Sequence, residues 1–142
     1  MALWDIYTTS SDWRRPELAW LQGHERKAAE DLVKPLWDNR EKLWLDERYL
    51  YCHVVAVHPE YQKKGIGRLL VEYGLGVARQ AGLPVYVESS KDGLKLYEKT
   101  GFRKLREQPV PKEGQDSATF MVALPAGEQT VVPEAVKQAL ES

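Results

Sequence analysis

The chain has one cysteine, Cys52, in 142 residues, so no disulfide framework can staple it from within. Cys52 lies in an apolar run, where a buried structural thiol is the expectation. Long hydrophobic runs are also missing: none approaches the roughly 18 residues of a membrane span. Excess charge of either sign is absent, with 20 Lys and Arg against 21 Asp and Glu and a net charge of -1. That balance removes global attraction to nucleic acid or an anionic membrane, so any basic function must be local. Met1 to Ile6 has no basic region and no cleavable apolar stretch, and does not read as a signal peptide. The expected compartment is the cytoplasm. No repeat or low-complexity segment breaks the chain. What is present, 43% hydrophobic and 29% charged residues, is the balance of one ordinary globular domain. Its length suffices for a hydrophobic core without metal or disulfide support.

Ala2 to Thr9 reads as a strand, with Trp4, Ile6 and Thr8 on one side and Leu3 and Tyr7 on the other. Pro16 follows polar punctuation and is placed to start a helix. From Ala29, the residues Leu32, Val33, Leu36, Trp37, Leu43 and Trp44 fall at helical spacing. Pro35 should kink or split that helix, and its tryptophans read as packing. Tyr49 to Val57 has the β-branched and aromatic composition of a buried strand. After it, Ile66, Leu69, Leu70, Tyr73, Val77, Ala78 and Ala81 outline an amphipathic helix capped by Gly82. Pro84 to Glu88 is a further strand, Asp92 to Thr100 a short helix closed by Gly101. Phe102 to Glu107 and Ala118 to Leu124 form a hairpin, and Pro133 to Leu140 a last helix. A crossover helix makes the first two strands after residue 48 parallel neighbours. The fold class is α/β with a mixed sheet.

Chemistry concentrates where Gln62-Lys63-Lys64-Gly65-Ile66-Gly67 joins a buried strand to the amphipathic helix. The first N–H groups of a helix lack intrahelical partners, and the helix dipole adds positive potential there. Such a spot suits phosphate or pyrophosphate. Gly65 and Gly67 let an anion reach the backbone with no Cβ in the way, and Lys63 and Lys64 add cations. A G-x-G turn by itself is weak evidence. The P-loop pattern is absent, and a dinucleotide fingerprint needs glycine where Leu70 stands.

Val55-Ala56-Val57-His58-Pro59-Glu60-Tyr61-Gln62-Lys63-Lys64-Gly65-Ile66-Gly67 resembles motif A of the GNAT acetyltransferase superfamily, whose core is Q/R-x-x-G-x-G/A. Leu96-Tyr97-Glu98-Lys99-Thr100-Gly101-Phe102 resembles its motif B, Y-E-K-x-G-F. Two motifs at the proper interval are far more specific than either alone. The likeness is firm over residues 49 to 104 and looser to Leu124. It is closest to a branch common in fungi, where an E-A-S stretch follows the strand before motif B.

The resemblance implies an acetyl-CoA-dependent N-acetyltransferase, acting on a small-molecule amine without a metal. It implies that Val55, Ala56 and Val57 bind the pantetheine arm by their backbone groups, where two strands diverge. The pyrophosphate would then rest on Gln62, Lys63, Lys64, Gly65, Ile66 and Gly67. Ser90 stands seven residues before Tyr97, where the family often has an asparagine. Tyr97 matches the family's usual acid for the leaving thiolate. Strict alternation puts Tyr51, His53, Val55 and Val57 on one face. His53 resembles the histidine used as base in serotonin N-acetyltransferase-like enzymes, and imidazole titrates near neutrality. His58 begins the turn and reads as structural, and His24 has no visible role.

A full GNAT domain starts with a strand, two helices and two more strands before the motif A strand. Only the last of these has a counterpart, in Ala2 to Thr9. The expectation is therefore a single domain over 1–142 with a shortened N-terminal part over 1–48. The cofactor core would occupy 49–104, and a hairpin strand and tail 105–142. An edge strand bearing Trp4, Ile6 and Tyr7 invites pairing with a second copy, so a homodimer through it is expected. Two other readings fit the same residues: a non-catalytic acyl-CoA-binding or interaction domain, and a generic phosphate-binding module.

Overall fold

A computed structural model describes residues 1–140. Five strands form one mixed sheet in the order β1-β2-β3-β5-β4: β1 (Ala2–Tyr7), β2 (Tyr49–Val55), β3 (Val85–Ser89), β4 (Arg103–Lys104) and β5 (Thr119–Ala123). β2 and β3 run parallel, joined by the crossover helix α2 (Ile66–Ala81). β1 pairs antiparallel with β2, and β5 antiparallel with both β3 and β4. α3 (Leu94–Lys99) lies between β3 and β4 in the chain. α1 (Gly23–Trp44) precedes β2, and α4 (Glu134–Leu140) ends the described chain. The expected parallel pair, hairpin and last helix are all present.

Alternation in the strands divides the apolar residues between two cores. Leu50, Cys52, Val85, Val87 and Met121 meet Val71, Leu75 and Ala78 of α2 and Tyr97 of α3. Tyr49, Tyr51, Tyr86, Phe120 and Val122 meet Leu43 and Trp44 of α1 and Val136 of α4. The sheet is thus the middle of three layers. Trp44 is fully buried and stacks on Tyr49 with ring centroids 4.6 Å apart, so it packs as expected, whereas Trp37 is half-buried with the Arg15 guanidinium 5.7 Å from its ring centre. Gly82 and Gly101 end α2 and α3 with positive φ.

Three local expectations fail. No helix starts at Pro16: residues 8–22 are irregular and α1 begins at Gly23. Arg15 ties this segment to Asp38 and Glu41 of α1 at 2.7 and 2.8 Å, and Trp13 covers the Arg40 guanidinium. These contacts compete with local helix formation. Pro35 does not split α1, which runs on through it. The ion pairs Arg26–Glu30, Lys27–Asp31 and Lys34–Asp38 brace the turns around it, while Leu36, Leu43 and Trp44 anchor its second half to the core. The buried stripe of α2 is also rotated from the expected one. Val71, Gly74, Leu75 and Ala78 face inward, leaving Leu69 and Tyr73 exposed. Gly74 explains the rotation, because the Trp4 ring lies where its Cβ would be.

β2 carries the feature that shapes the site. Its register with β1 shifts between Leu3 and Trp4: Leu3 pairs with Val54 and Trp4 with Cys52, so His53 is an extra residue. A bulge of this kind reverses the alternation beyond it. Tyr51 packs in the α1-side core, but Val55 packs against the α2-side core. His53 and Val55 therefore do not share a face, contrary to strict alternation.

Candidate active site

The β2–β3 ladder ends at Cys52–Val87, although β2 continues to Val55 and β3 stays paired with β5 through Ser89. The two strands fork there. On the α2 side of the fork lies a groove of about 700 Å³. Val55, Val57 and Leu96 form apolar parts of its wall, and Gln62, Lys63, Gly65, Ile66, Gly67 and Ser90 also line it. All of these nine residues except Leu96 are ones the sequence singles out.

The geometry of the turn suits an anion. Lys63 and Gly65 both have positive φ, +60° and +81°. A lysine in that region is uncommon, and such strain gathers at functional sites. The Gln62 side chain donates to the Val57 carbonyl at 2.9 Å and braces the turn. No acidic side chain stands in the first turn of α2 and no side chain caps it, so no side chain claims its leading N–H groups, and Ile66, Gly67 and Arg68 of that turn line the groove. An added Cβ at Gly67 would lie 3.4 Å from Leu96 and 3.8 Å from Val57, both groove residues. Four cationic side chains (Lys63, Arg68, Lys95 and Lys99) line the groove against one carboxylate, Asp92. The donor set fits a polyphosphate joined to an apolar arm.

Five sequence-based assignments change in detail. Ala56 faces the other way: its N–H donates to the Met1 carbonyl at 2.8 Å and its carbonyl accepts from the Met1 amine at 2.7 Å. Its backbone therefore belongs to the β1 side, while Val55 and Val57 border the groove. Lys64 is outside the lining, with its ammonium 5.6 Å from the Tyr61 ring centre. Tyr97 is also outside the lining and is 7% exposed. Its hydroxyl lies 3.8 Å from Cys52 Sγ, at the last rung before the fork. Burial, then the neighbouring thiol, pushes the Tyr97 pKa well up, so the phenol holds its proton. Burial likewise pushes Cys52 up to about 11, the inert thiol expected. His53 is on the opposite sheet face, hydrogen-bonded to Asp5 and 4.5 Å from the Tyr51 ring centre. Ser90 lines the groove, but its Oγ accepts from Gly93 N–H at 3.3 Å. His58 is structural as expected: its Nδ1 accepts from Glu60 N–H at 3.3 Å.

Sequence reasoning missed Arg68, Lys95, Leu96 and Lys99 as groove residues. The i, i+4 spacing of Lys95 and Lys99 on the motif B helix was the available signal. It also passed over Glu88, a carboxylate at the end of an otherwise apolar strand.

Fold and groove together define an acyl-CoA-dependent transferase. Residues 32–104 match the family model described as an acetyltransferase (GNAT) domain. The chain belongs to the GNAT family and is an acetyl-CoA-dependent acetyltransferase by class. Among its relatives is the "Probable acyltransferase SID5" of Ajellomyces capsulatus, 36% identical over 115 residues, with 79% of each chain covered. An acetyltransferase of Stachybotrys chartarum is 33% identical over 90 residues, and there the match spans 60% of this chain but only 39% of the relative. The fold matches arylalkylamine N-acetyltransferase 2 of Aedes aegypti with a TM-score of 0.52 at 13% identity, covering 76% of this chain and 58% of that one.

Proposed function

We propose that this chain transfers the acetyl group of acetyl-CoA to the amine of a small molecule by direct attack, without an acyl-enzyme. The observation that carries the reading is the fork at Cys52–Val87 opening on a cationic groove. Acetyl-CoA supplies the activated acyl group as a thioester. The leading N–H groups of α2, with Lys63, Arg68, Lys95 and Lys99, neutralise its phosphates. Val55, beyond the last ladder rung, offers backbone partners to the amide-bearing arm, as an added strand would. Val57 and Leu96 keep water from that arm. Tyr97, protonated and beside the last rung, is the proton donor for the departing sulfur.

Ligand-dependent melting tests the binding half, since a ligand that binds only the native state raises its melting temperature. Acetyl-CoA and CoA should raise it, and ATP and NAD should not. Equal shifts from ATP would favour a generic phosphate-binding module. For the catalytic half, CoA release is followed with a panel of small amines. Tyr97→Phe should then lower kcat by about 10² to 10⁴ with little change in acetyl-CoA affinity. Binding with no release for any amine would favour a non-catalytic acyl-CoA-binding domain.

A further inference from the structure

On the other side of the fork, away from the groove, a cluster of polar side chains faces α1. Glu88 is the first β3 residue beyond the last rung with β2, and His53 is the first β2 residue beyond it. Glu88 shares a face with Tyr86 and is half-buried as a residue. One oxygen accepts from the Tyr51 hydroxyl and the other from the Tyr86 hydroxyl, both at 3.1 Å. The Tyr86 hydroxyl in turn accepts from Asn39 Nδ2 at 2.9 Å. Burial pushes both tyrosines well above their ordinary pKa, so both remain donors. His53 is bound to Asp5, which also accepts from the Tyr7 hydroxyl at 3.1 Å.

The simplest structural role for Glu88 would be to neutralise Arg40, which is 3% exposed. The contacts do not support it. Arg40 donates to the Tyr49 and Tyr7 hydroxyls at 2.9 and 3.1 Å and lies between the Tyr51 and Trp13 rings. Among the described residues, no carboxylate is within ion-pair distance of it. Glu88 is therefore held by neutral hydroxyls, which leaves lone pairs on each oxygen for a further donor. Arg40 acts on Glu88 only from beyond ion-pair distance, so a direct cationic partner at the mouth of the fork is still to be supplied.

We propose that Glu88 binds the ammonium group of the acceptor and takes its proton, with the acceptor entering from the α1 face and acetyl-CoA from the α2 face. The proposal rests on the acetyltransferase reading above. The acceptor ammonium gives one proton to the Glu88 carboxylate. The freed nitrogen lone pair forms the new N–C bond to the thioester carbonyl carbon, and the C–S bond breaks with its electron pair leaving on sulfur. The sulfur takes a proton from Tyr97. The amide nitrogen's second proton returns to Tyr97 through solvent, and Glu88 releases its own proton to solvent. The net products are amide, thiol and one proton.

The groups facing Glu88 are Tyr51 and His53 of β2, Arg40 of α1 and Tyr86 of its own strand. Burial raises the Glu88 pKa from its ordinary value, while the two tyrosine hydrogen bonds, Arg40 and His53 oppose the rise. The acid limb of the rate profile should therefore lie higher in pH than an unperturbed glutamate would place it. Stability has a related signature. A carboxyl with a raised folded pKa contributes stability below its unfolded pKa that is lost as pH rises through the folded one. Glu88→Gln should flatten that slope in melts across acidic pH.

The test is the pH profile of kcat for wild type and Glu88→Gln, with Glu88→Asp as a variant that keeps the charge. We expect Glu88→Gln to bind acetyl-CoA normally and lose about 10² to 10⁴ in kcat with a strongly basic amine. The loss should shrink with a weakly basic amine that is already neutral at the assay pH, because no proton need be removed first. Glu88→Asp should keep the acid limb at a reduced rate, which also decides the matter if Glu88→Gln does not fold. An unchanged profile in Glu88→Gln, or loss of the acid limb in His53→Gln with Glu88→Gln near wild type, overturns the proposal. A protein that fails to bind acetyl-CoA, or acetylates nothing, overturns the transferase reading and this one with it.

Discussion

Gly65 and Gly67 are two residues apart and serve different needs. Gly65 sits at φ +81° with open space where a Cβ would be, so its requirement is conformational. Gly67 lies inside α2 with an ordinary helical backbone, and the space its Cβ would occupy belongs to the groove. Gly65→Ala should therefore strain the turn and lower stability by about 1 kcal/mol, weakening acetyl-CoA binding as the turn rearranges. Gly67→Ala should melt within a degree or two of wild type yet lose acetyl-CoA affinity, because it only fills the approach to the backbone. Calorimetric titration beside thermal melts separates the two. Equal affinity for Gly67→Ala and wild type would remove that residue from the site. Tyr97 makes a related point: the motif identifies the residue, while its burial against Cys52 accounts for a phenol that keeps its proton.

At the level of the elements, α2 shows how a helix face is chosen. Apolar side chains spread over more than half its circumference, and spacing alone favoured Leu69 and Tyr73. The Trp4 ring, brought in by β1, needs a side with no Cβ, and Gly74 provides it. Gly74→Ala should overpack this contact and cost about 1 to 3 kcal/mol, although alanine has the higher helix propensity. Chemical denaturation measures the difference, and a more stable variant would mean that the Trp4 ring has room to move aside. The same contact links the edge strand to the helix that carries the anion turn. The β2 bulge is the second case, because one unpaired residue, His53, separates its own face from that of Val55.

In the molecule as a whole, β1 is an edge of the sheet, and Leu3 and Ile6 on it are exposed. An uncovered edge of this kind templates pairing. A homodimer through β1 is expected, with sedimentation showing a concentration-dependent dimer and Leu3→Lys or Ile6→Lys shifting it to monomer. A strict monomer at high concentration would contradict this. The layered arrangement also separates two tasks. α2 and α3 present cations to one face of the fork, and the other face offers the carboxylate of Glu88.

The sequence by itself determined the mixed α/β sheet, the parallel β2–β3 pair, the anion turn and the family. Those depend on local periodicity, on glycines placed between a strand and a helix, and on two short motifs, all readable along the chain. It left three things open: where the strands part, which face His53 takes, and which side of α2 is buried. Each depends on residues distant in sequence, as with Met1 against Ala56, Trp4 against Gly74 and β1 against the bulged β2. A one-residue register shift reverses every side chain beyond it, and only packing in three dimensions selects that register.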